Sequence, residues 1–488
     1  MEKENSKSNL MTEGKIWENI LFFSIPLILG NLLQQLYNTA DSIIVGNFVG
    51  SKALAAVGSS TSLIYLLIAF SQGASVGAGV IVAQFLGAKD KKATQDAVHT
   101  AFFIAIILGV VLTIGGVIFT PSILRLMGTP DDVINESITY LRLYSCGLIF
   151  NVVYNMSAGI LNAAGNSKRS LIYLAYASVT NIILDIILIS FLKMGVAGAA
   201  IATDISQVVS CVLALIFLMK SNDSYKVDLK KIKCHSKMAI RIIKIGLPTG
   251  IQNMVISFSN ILVQASINSF GALAMAGFGA YMKIDGFNIL PVMSFSMAVT
   301  TFVGQNYGAG KIDRVKKGMW TTIGMGMIYT VVTGALILLF SNEIMRLFTE
   351  DKDVITYGKM AIMFFCPFYF ILSILQSLAG TVRGTGKSVP PMVVLLVSMC
   401  LFRIVWVQFI LPMFNSIDGI FILYPVSWAL GTVLKFINKN KAVEKYEFST
   451  AFCSSKFKMV CFEFSLKFSL NLLQECLLGK CYNFQLRS

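Results

Sequence analysis

The chain has 488 residues, of which 55% are hydrophobic and 13% charged, with a mean hydropathy of +0.72. Soluble domains carry about 25% charged residues, so a water-soluble globule is excluded and an all-α polytopic membrane protein is predicted. The formal net charge of +15 suggests nucleic acid, but the basic residues fall in alternate loops, which assigns the charge to membrane topology; no nucleic-acid partner is expected.

In chain order, MEKENSKSNLMTEGKIWENI mixes acids and bases. The apolar run behind it is too long for a cleavable signal peptide, so it is expected to stay as the first span, with Trp17 near the interface. Eleven further runs of about 20 or more apolar residues follow. The twelve lie at 16–45, 53–86, 97–120, 134–162, 170–192, 195–219, 239–269, 273–307, 318–341, 353–381, 389–411 and 415–437.

Within the first span, NLLQQLYNTADSIIVG carries Asp41, which costs roughly 2.5–3.5 kcal/mol to insert into hydrocarbon. Asn31, Gln34, Tyr37 or Asn38, and Asp41 recur at spacings of three and four, one polar stripe on one helix face. In the fifth span Asn181 precedes Asp185 by one turn and shares its face. Asp185 lies about 22 Å beyond the preceding basic loop, so both carboxylates are placed deep in the first half. Two carboxylates close together in low dielectric are expected to share a proton or bind a cation. Asp204, in the sixth span, either lines a cavity or caps a kink. In the second half Lys283, Asp285 and Arg403 are expected to form a neutral internal ion pair.

The loops alternate in charge. Lys89, Lys91 and Lys92, then Lys168 and Arg169, the 220–244 segment, Lys311, Arg314, Lys316 and Lys317, and finally Arg383 and Lys387 mark every second loop, whereas TPDDVINES and TEDKDV are acidic. The positive-inside rule makes the basic loops and, with twelve spans, both termini cytoplasmic. His99 and His235 fall at a helix start and in a loop, which leaves no histidine metal site or hydrolase; the nine cysteines show no C-x-x-C spacing, and Cys146, Cys211, Cys366 and Cys400 read as small core residues.

An internal repeat organises the chain. VAQFLGAKDKK at 82–92 matches VGQNYGAGKID at 303–313, RLMGTPDDV at 125–133 matches RLFTEDKDV at 346–354, and AGILNAAGNSK at 158–168 matches AGTVRGTGKSV at 379–389, always 221 residues apart. Pro26 and Pro248 extend the match at a spacing of 222. Six spans per repeat give both halves the same orientation, with substrate expected at their interface. The expected domains are 1–219, a linker at 220–238, 239–440, and a non-repeat tail at 441–488 to which no function is assigned. Positions equivalent to Asp185 and Asp41 are Trp406 and Val263 or Leu262, so the carboxylates occur once while the shared fold occurs twice. Gly87, Gly165, Gly308 and Gly386 are expected to cap helices, and GTGKS at 384–388 lacks the register and preceding strand of a P-loop. Energy is therefore expected from an ion gradient.

The paired Gln-x-x-Gly-Ala elements at Gln84 and Gln305, with ALAAVG at 53–58, LNAAGNSK at 161–168, TNIILDIILI at 180–189 and GVAGAAIAT at 195–203, resemble the multidrug and toxic compound extrusion (MATE) exporters. Within that family the chain is similar to the prokaryotic DinF-like branch, in which aspartates of helices 1 and 5 serve cation coupling. The resemblance implies twelve transmembrane helices in two six-helix bundles, and a cation-coupling site of Asp41, Asp185, Asn181, Thr203 and Asn155. Sodium is a candidate metal at Asp41, Asn181, Asp185 and Thr203, and Gln34, Tyr37, Asn38 and Asp204 are candidate substrate contacts. The expected function is a monomeric secondary exporter in the cytoplasmic (inner) membrane that exchanges organic, often cationic amphiphiles for protons or sodium, without cofactor and without enzymatic chemistry. The alternative is a flippase for lipid-linked oligosaccharides, which favours cations in its cavity; Lys283, Arg403 and Lys193 are the candidates.

Overall fold

A computed structural model describes residues 10–443 apart from Asn415. The 444–488 part of the non-repeat tail lies outside the described residues. Sixteen α-helices run in order: α1 Ile16–Phe48, α2 Ser51–Gly87, α3 Lys91–Leu126, α4 Ile134–Cys146, α5 Leu148–Ala163, α6 Ser167–Asp185, α7 Gly195–Lys220, α8 Ser236–Asn268, α9 Ala272–Gly308, α10 Ile312–Leu339, α11 Ser341–Arg346, α12 Lys352–Phe365, α13 Tyr369–Gly384, α14 Val389–Leu396, α15 Phe402–Val405 and α16 Asp418–Val443. Among the described residues there is no strand.

Among the described residues nine helical stretches are long and apolar enough to cross a bilayer, and α4 with α5, bent by 47° at Gly147, makes a tenth. The two remaining expected spans are α8 and α16, which are 33 and 26 residues long but more polar. The twelve-span layout thus reappears, with α12–α13 and α14 through Met413 each serving as one span.

The helices begin and end where the sequence provides partners. Asp90, Asn166 and Asp351 each accept a backbone N–H of the first turn, from Ala93, Arg169 and Val354 at 2.9, 3.3 and 3.3 Å. The turns obey the repeat: left-handed backbone occurs at Gly165 and Gly386, with φ of 80° and 90°, and at Gly50 and Gly271, with φ of 116° and 99°. Only glycine adopts these angles without strain. Gly87 and Gly308 do not serve as left-handed caps, contrary to expectation. The left-handed residues of those turns are Lys89 and Gly310, and Gly87 and Gly308 are small for a packing reason given below.

Helix faces follow membrane rather than aqueous logic. In α3, Ala97, Ala101 and Ala105 are fully buried at a spacing of four, while Ile107, Val111, Ile114 and Ile118 are more than half exposed on the far side. Small residues let helices approach and large apolar ones meet lipid.

The chain packs as two compact units that do not coincide with the repeat halves. Among the described residues, the first holds those up to Ser257 together with Ser294–Thr322 and Gly380–Val389, and the second holds Phe258–Met293, Ile323–Ala379 and those from Pro390 on. In the first unit Gly159 of α5 rests on Ser75 of α2, and 221 residues later Gly380 of α13 rests on Ser296 of α9, each leaving no space for a side chain. The 220–244 linker is tied down by both histidines of the chain. His99 Nε2 accepts the Asp228 N–H at 3.2 Å, and the His235 N–H donates to Thr100 Oγ1 at 3.2 Å. The second unit has an aromatic centre of Phe278, Tyr281, Phe365, Tyr369, Phe421, Tyr424 and Trp428, with Phe365 and Tyr424 centroids 4.7 Å apart.

The orientation has a direct check. Cys234, exposed in the basic linker, is expected to react with a membrane-impermeant maleimide only from the cytoplasmic side, and Asp131→Cys, exposed in an acidic loop, only from outside. Reaction of both from one face would overturn the alternating topology.

Candidate functional site

Asp41 on α1 is 9% exposed, Asn181 and Asp185 on α6 are 1% and 0% exposed, and α1 packs along α6. Both residues sit at mid-helix depth because α1 runs seven residues past Asp41 and α6 continues past Asp185 as a wider, π-type turn over Ile186–Phe191. The two carboxyl groups lie within electrostatic reach of one another. Three of their four oxygens and both ends of the Asn181 amide have no hydrogen-bond partner among the described residues.

A buried polar atom left without a partner costs about 1–3 kcal/mol, and five of them meet here. The donor set is hard and anionic: carboxylate oxygens and an amide oxygen suit a proton or an alkali cation and are poor ligands for soft metals. Among the described residues no group of three or more His, Cys, Asp or Glu side chains gathers as a transition-metal site would.

The repeat supplies an internal control. The π-type turn after Asp185 recurs at Trp406–Ile410 in the second half, so it belongs to the shared fold. The residue at the carboxylate's position does not recur. Trp406 is 2% exposed and its indole donates to the Gly419 carbonyl at 2.8 Å. Val263, fully buried, is the better match to Asp41 than the half-buried Leu262. In the second half the same two sites are therefore an apolar methyl pair and a fully satisfied indole.

The other candidates are placed less uniformly. Tyr37 lies in the electrostatic neighbourhood of Asp41, while Asn38 is exposed, which resolves the stripe in favour of Tyr37. Asn31, at the near end of the stripe, donates to Ser294 Oγ at 3.0 Å. Asn155 is engaged elsewhere: its amide donates to Asn151 Oδ1 at 2.8 Å and to Ser71 Oγ at 3.1 Å. The Thr203 hydroxyl donates to the Ala199 carbonyl of its own helix at 3.0 Å, which leaves its lone pairs as the only capacity it could offer a cation. Asp204 lies against Gly147, where a side chain would collide with its carboxylate, so it sits at the bend between α4 and α5.

Sequence reasoning missed Tyr140 and Tyr144 of α4, both buried, with ring centroids 6.3 Å apart. Tyr140 lies in the electrostatic neighbourhood of Asp41 and Asp185, and Tyr144 in that of Tyr37 and Asp204. Their spacing of four in TYLRLYS was the available signal.

The ion pair expected in the second half is not formed. Arg403, 3% exposed, donates to Asn260 Oδ1 at 3.1 Å and Ser427 Oγ at 3.3 Å and stacks 4.4 Å from the Tyr424 ring centroid. Asp285 instead accepts from the Tyr281 hydroxyl at 2.9 Å, which in turn meets the Tyr369 hydroxyl. Lys283 is exposed. Neutral acceptors and a π face satisfy the guanidinium where a carboxylate was expected, because aromatic packing separates α9 from α15 in charge terms.

The MatE family model matches residues 26–187 and 248–408, one match on each repeat. The probable multidrug resistance protein YoeA of Bacillus subtilis is 29% identical over 91% of this chain and 99% of its own length. YpnP, another probable multidrug resistance protein of that organism, is 30% identical over 80% and 88%. Among solved structures, one described as MATE in the bent conformation superposes with a TM-score of 0.82 at 25% identity, covering 91% of this chain and 99% of that one.

Proposed function

Since the chain belongs to the MatE family of multidrug efflux transporters, we propose that it exports organic, often cationic amphiphiles by alternating access in exchange for protons or sodium ions that bind at Asp41 and Asp185. The observation that supports this reading most is the asymmetry of the repeat. A buried carboxyl pair with orphaned oxygens stands in the first half only, where no demand of the shared fold explains it.

The chemistry follows from charge. With neither proton nor cation the pair holds two negative charges in low dielectric, which burial and mutual repulsion oppose. One bound proton shared between the carboxyls, or one sodium ligated by their oxygens and the Asn181 Oδ1, relieves both penalties. Each ionic state favours a different packing of α1 against α6, and a ligand shifts such an equilibrium only by its differential affinity for the two states. Entry of the ion from the outer side and its release inside would bias the exporter through one cycle. Tyr37 and Tyr140 lie in the electrostatic neighbourhood of the pair.

The membrane is the expected site of action, as a multi-pass monomer, with small organic molecules as substrates. The flippase reading has weaker support: Arg403, one of its three candidate cations, is committed to Asn260, Ser427 and Tyr424.

The deciding experiment is uptake of a fluorescent cationic dye into everted vesicles under an imposed pH gradient or an imposed sodium gradient. Gradient-driven uptake under one of the two is expected and identifies the ion. Uptake that ignores both gradients overturns ion-coupled export.

A further inference from the structure

The Gln-x-x-Gly motifs build a reciprocal contact at the basic-loop end of the first unit. Gln84 Nε2 donates to the Gly384 carbonyl at 3.0 Å, and Gln305 Nε2 donates to the Ala163 carbonyl at 2.8 Å. Donors and acceptors are both related by the 221-residue repeat, so each half's glutamine grips the end of the other half's fourth span. The glycines complete the crossing. Gly87 lies directly on the Gln305 carbonyl and Gly308 directly on the Gln84 carbonyl, and in each case a Cβ would overlap the opposing oxygen. Further along α2, Gly73 and Gly77 meet Gly246 of α8, with a Cβ at Gly73 falling 2.6 Å from the Gly246 carbonyl. The closest backbone approaches between the two halves at this end therefore depend on absent side chains, and two amides tie them.

Each glutamine is also held from outside. Gln84 Oε1 accepts from Arg241 at 3.3 Å, and Gln305 Oε1 accepts the Met11 N–H at 2.7 Å. The segment that supplies Met11 is fastened along its length. Asn306 donates to the Met11 carbonyl at 3.2 Å, Lys311 to the Thr12 carbonyl at 2.9 Å, and Arg314 to the Gly14 and Glu13 carbonyls at 3.0 and 3.2 Å. Met11 and Thr12 are buried in consequence.

We propose that Gln84, Gln305, Gly87 and Gly308 form the gate that shuts the basic-loop end, and that Met11–Gly14 is the latch on its second-half side. The need for this end to open rests on the alternating-access reading above. The geometry supplies the rest: paired amide-to-carbonyl bonds across the halves can part and reform without leaving a charge buried, and the left-handed turns behind them, at Lys89 and Gly310, are shared by both repeats.

The test uses the full chain with its cysteines replaced and a single reporter, Ala83→Cys, on α2 one turn inside Gly87 and fully buried in the shut state. Its labelling by a maleimide applied from the basic-loop side reports opening. Gln84→Ala and Gln305→Ala are each expected to speed labelling about fivefold, the scale of one lost hydrogen bond. Gly87→Ala and Gly308→Ala, whose methyl groups fall on the opposing carbonyls, are expected to speed it more than about tenfold. Lys311→Ala with Arg314→Ala, which frees the latch, is expected to act in the same direction. Labelling of the two glutamine variants within about twofold of the parent, in protein that elutes normally on size exclusion, overturns the gate even if the glycine variants fail to accumulate. Failure of the exporter reading is seen separately, as absence of gradient-driven uptake by the parent protein, and leaves the labelling result standing.

Discussion

Asp41→Asn and Asp185→Asn proteins will insert, fold and bind substrate, yet will not drive efflux from a proton or sodium gradient. Each substitution keeps the shape of the side chain and fixes the neutral form that ion binding produces transiently. Stability is expected to move by less than about 4 °C, since removing a charge from low dielectric offsets the loss of one weak contact. Gradient-driven efflux is expected to fall at least about tenfold, because an ion with no differential affinity for the two states biases neither. A purely structural role gives the reverse pattern, with a lowered melting temperature and coupling largely kept. Melting temperature and uphill efflux, measured on the same purified variants, separate the two. Near-normal uphill efflux from both would move the coupling site out of the first half, and Asp285 with its Tyr281 and Tyr369 partners would be the next place to look.

The second large effect is on stability and falls on the repeated glycines. Gly159→Val places a branched side chain where a Cβ alone would already stand 2.8 Å from the Ser75 carbonyl, and Gly380→Val does the same against Ser296. The obstruction is backbone, so it cannot yield by a change of rotamer. Overpacking of this kind costs about 3 kcal/mol, which at an unfolding entropy of about 2.1 cal/mol/K per residue is a loss of roughly 3 °C for this chain. Gly115→Val on α3, where nothing lies within 4 Å, is the control and is expected to melt within about 0.5 °C of the parent. Equal melting temperatures for Gly159→Val and Gly115→Val would show that α5 does not cross α2 at Ser75.

These two experiments contrast what occurs twice with what occurs once. Gly159 and Gly380, or Gly165 and Gly386, are requirements of a six-helix fold used two times over. Asp41 and Asp185 answer to Val263 and Trp406. That contrast was legible in the sequence because the repeat runs without a gap through most of the chain and because a carboxylate in an apolar span is too costly to be incidental. The pairing of Asn181 with Asp185 was legible for the same local reason, a separation of one helical turn.

Other features left no local trace. Tyr140 and Tyr144 read as ordinary residues of a span end, because a tyrosine is tolerated at an interface and only the packing of α4 against α2, α3 and α7 brings them into the electrostatic neighbourhood of the buried carboxyls. Asn155 looked equivalent to Asn181, yet Ser71 and Asn151 satisfy it. Arg403 and Asp285 were expected to pair because opposite charges in hydrocarbon usually do; the hydroxyls and amide that hold them apart lie on α8, α9, α13 and α16, far off in the chain. Gly87 and Gly308 look like helix caps in a one-dimensional reading, and only the partner helix, more than 200 residues away, shows what they make room for.

The composition of the first unit bears on how the protein is made. Its last stretch, Gly380–Val389, supplies the carbonyl that Gln84 grips and is separated from Ser257 by more than half of the second repeat. At about 5–20 residues per second, a ribosome needs on the order of ten seconds to synthesise that interval. Through that time α2 sits in the bilayer with Gly73, Gly77 and Gly87 facing partners not yet made or not yet seated. The first six spans on their own are thus an unfinished surface rather than a separable domain, and a nascent chain stalled before Ser294 exposes the very groove that the finished protein closes.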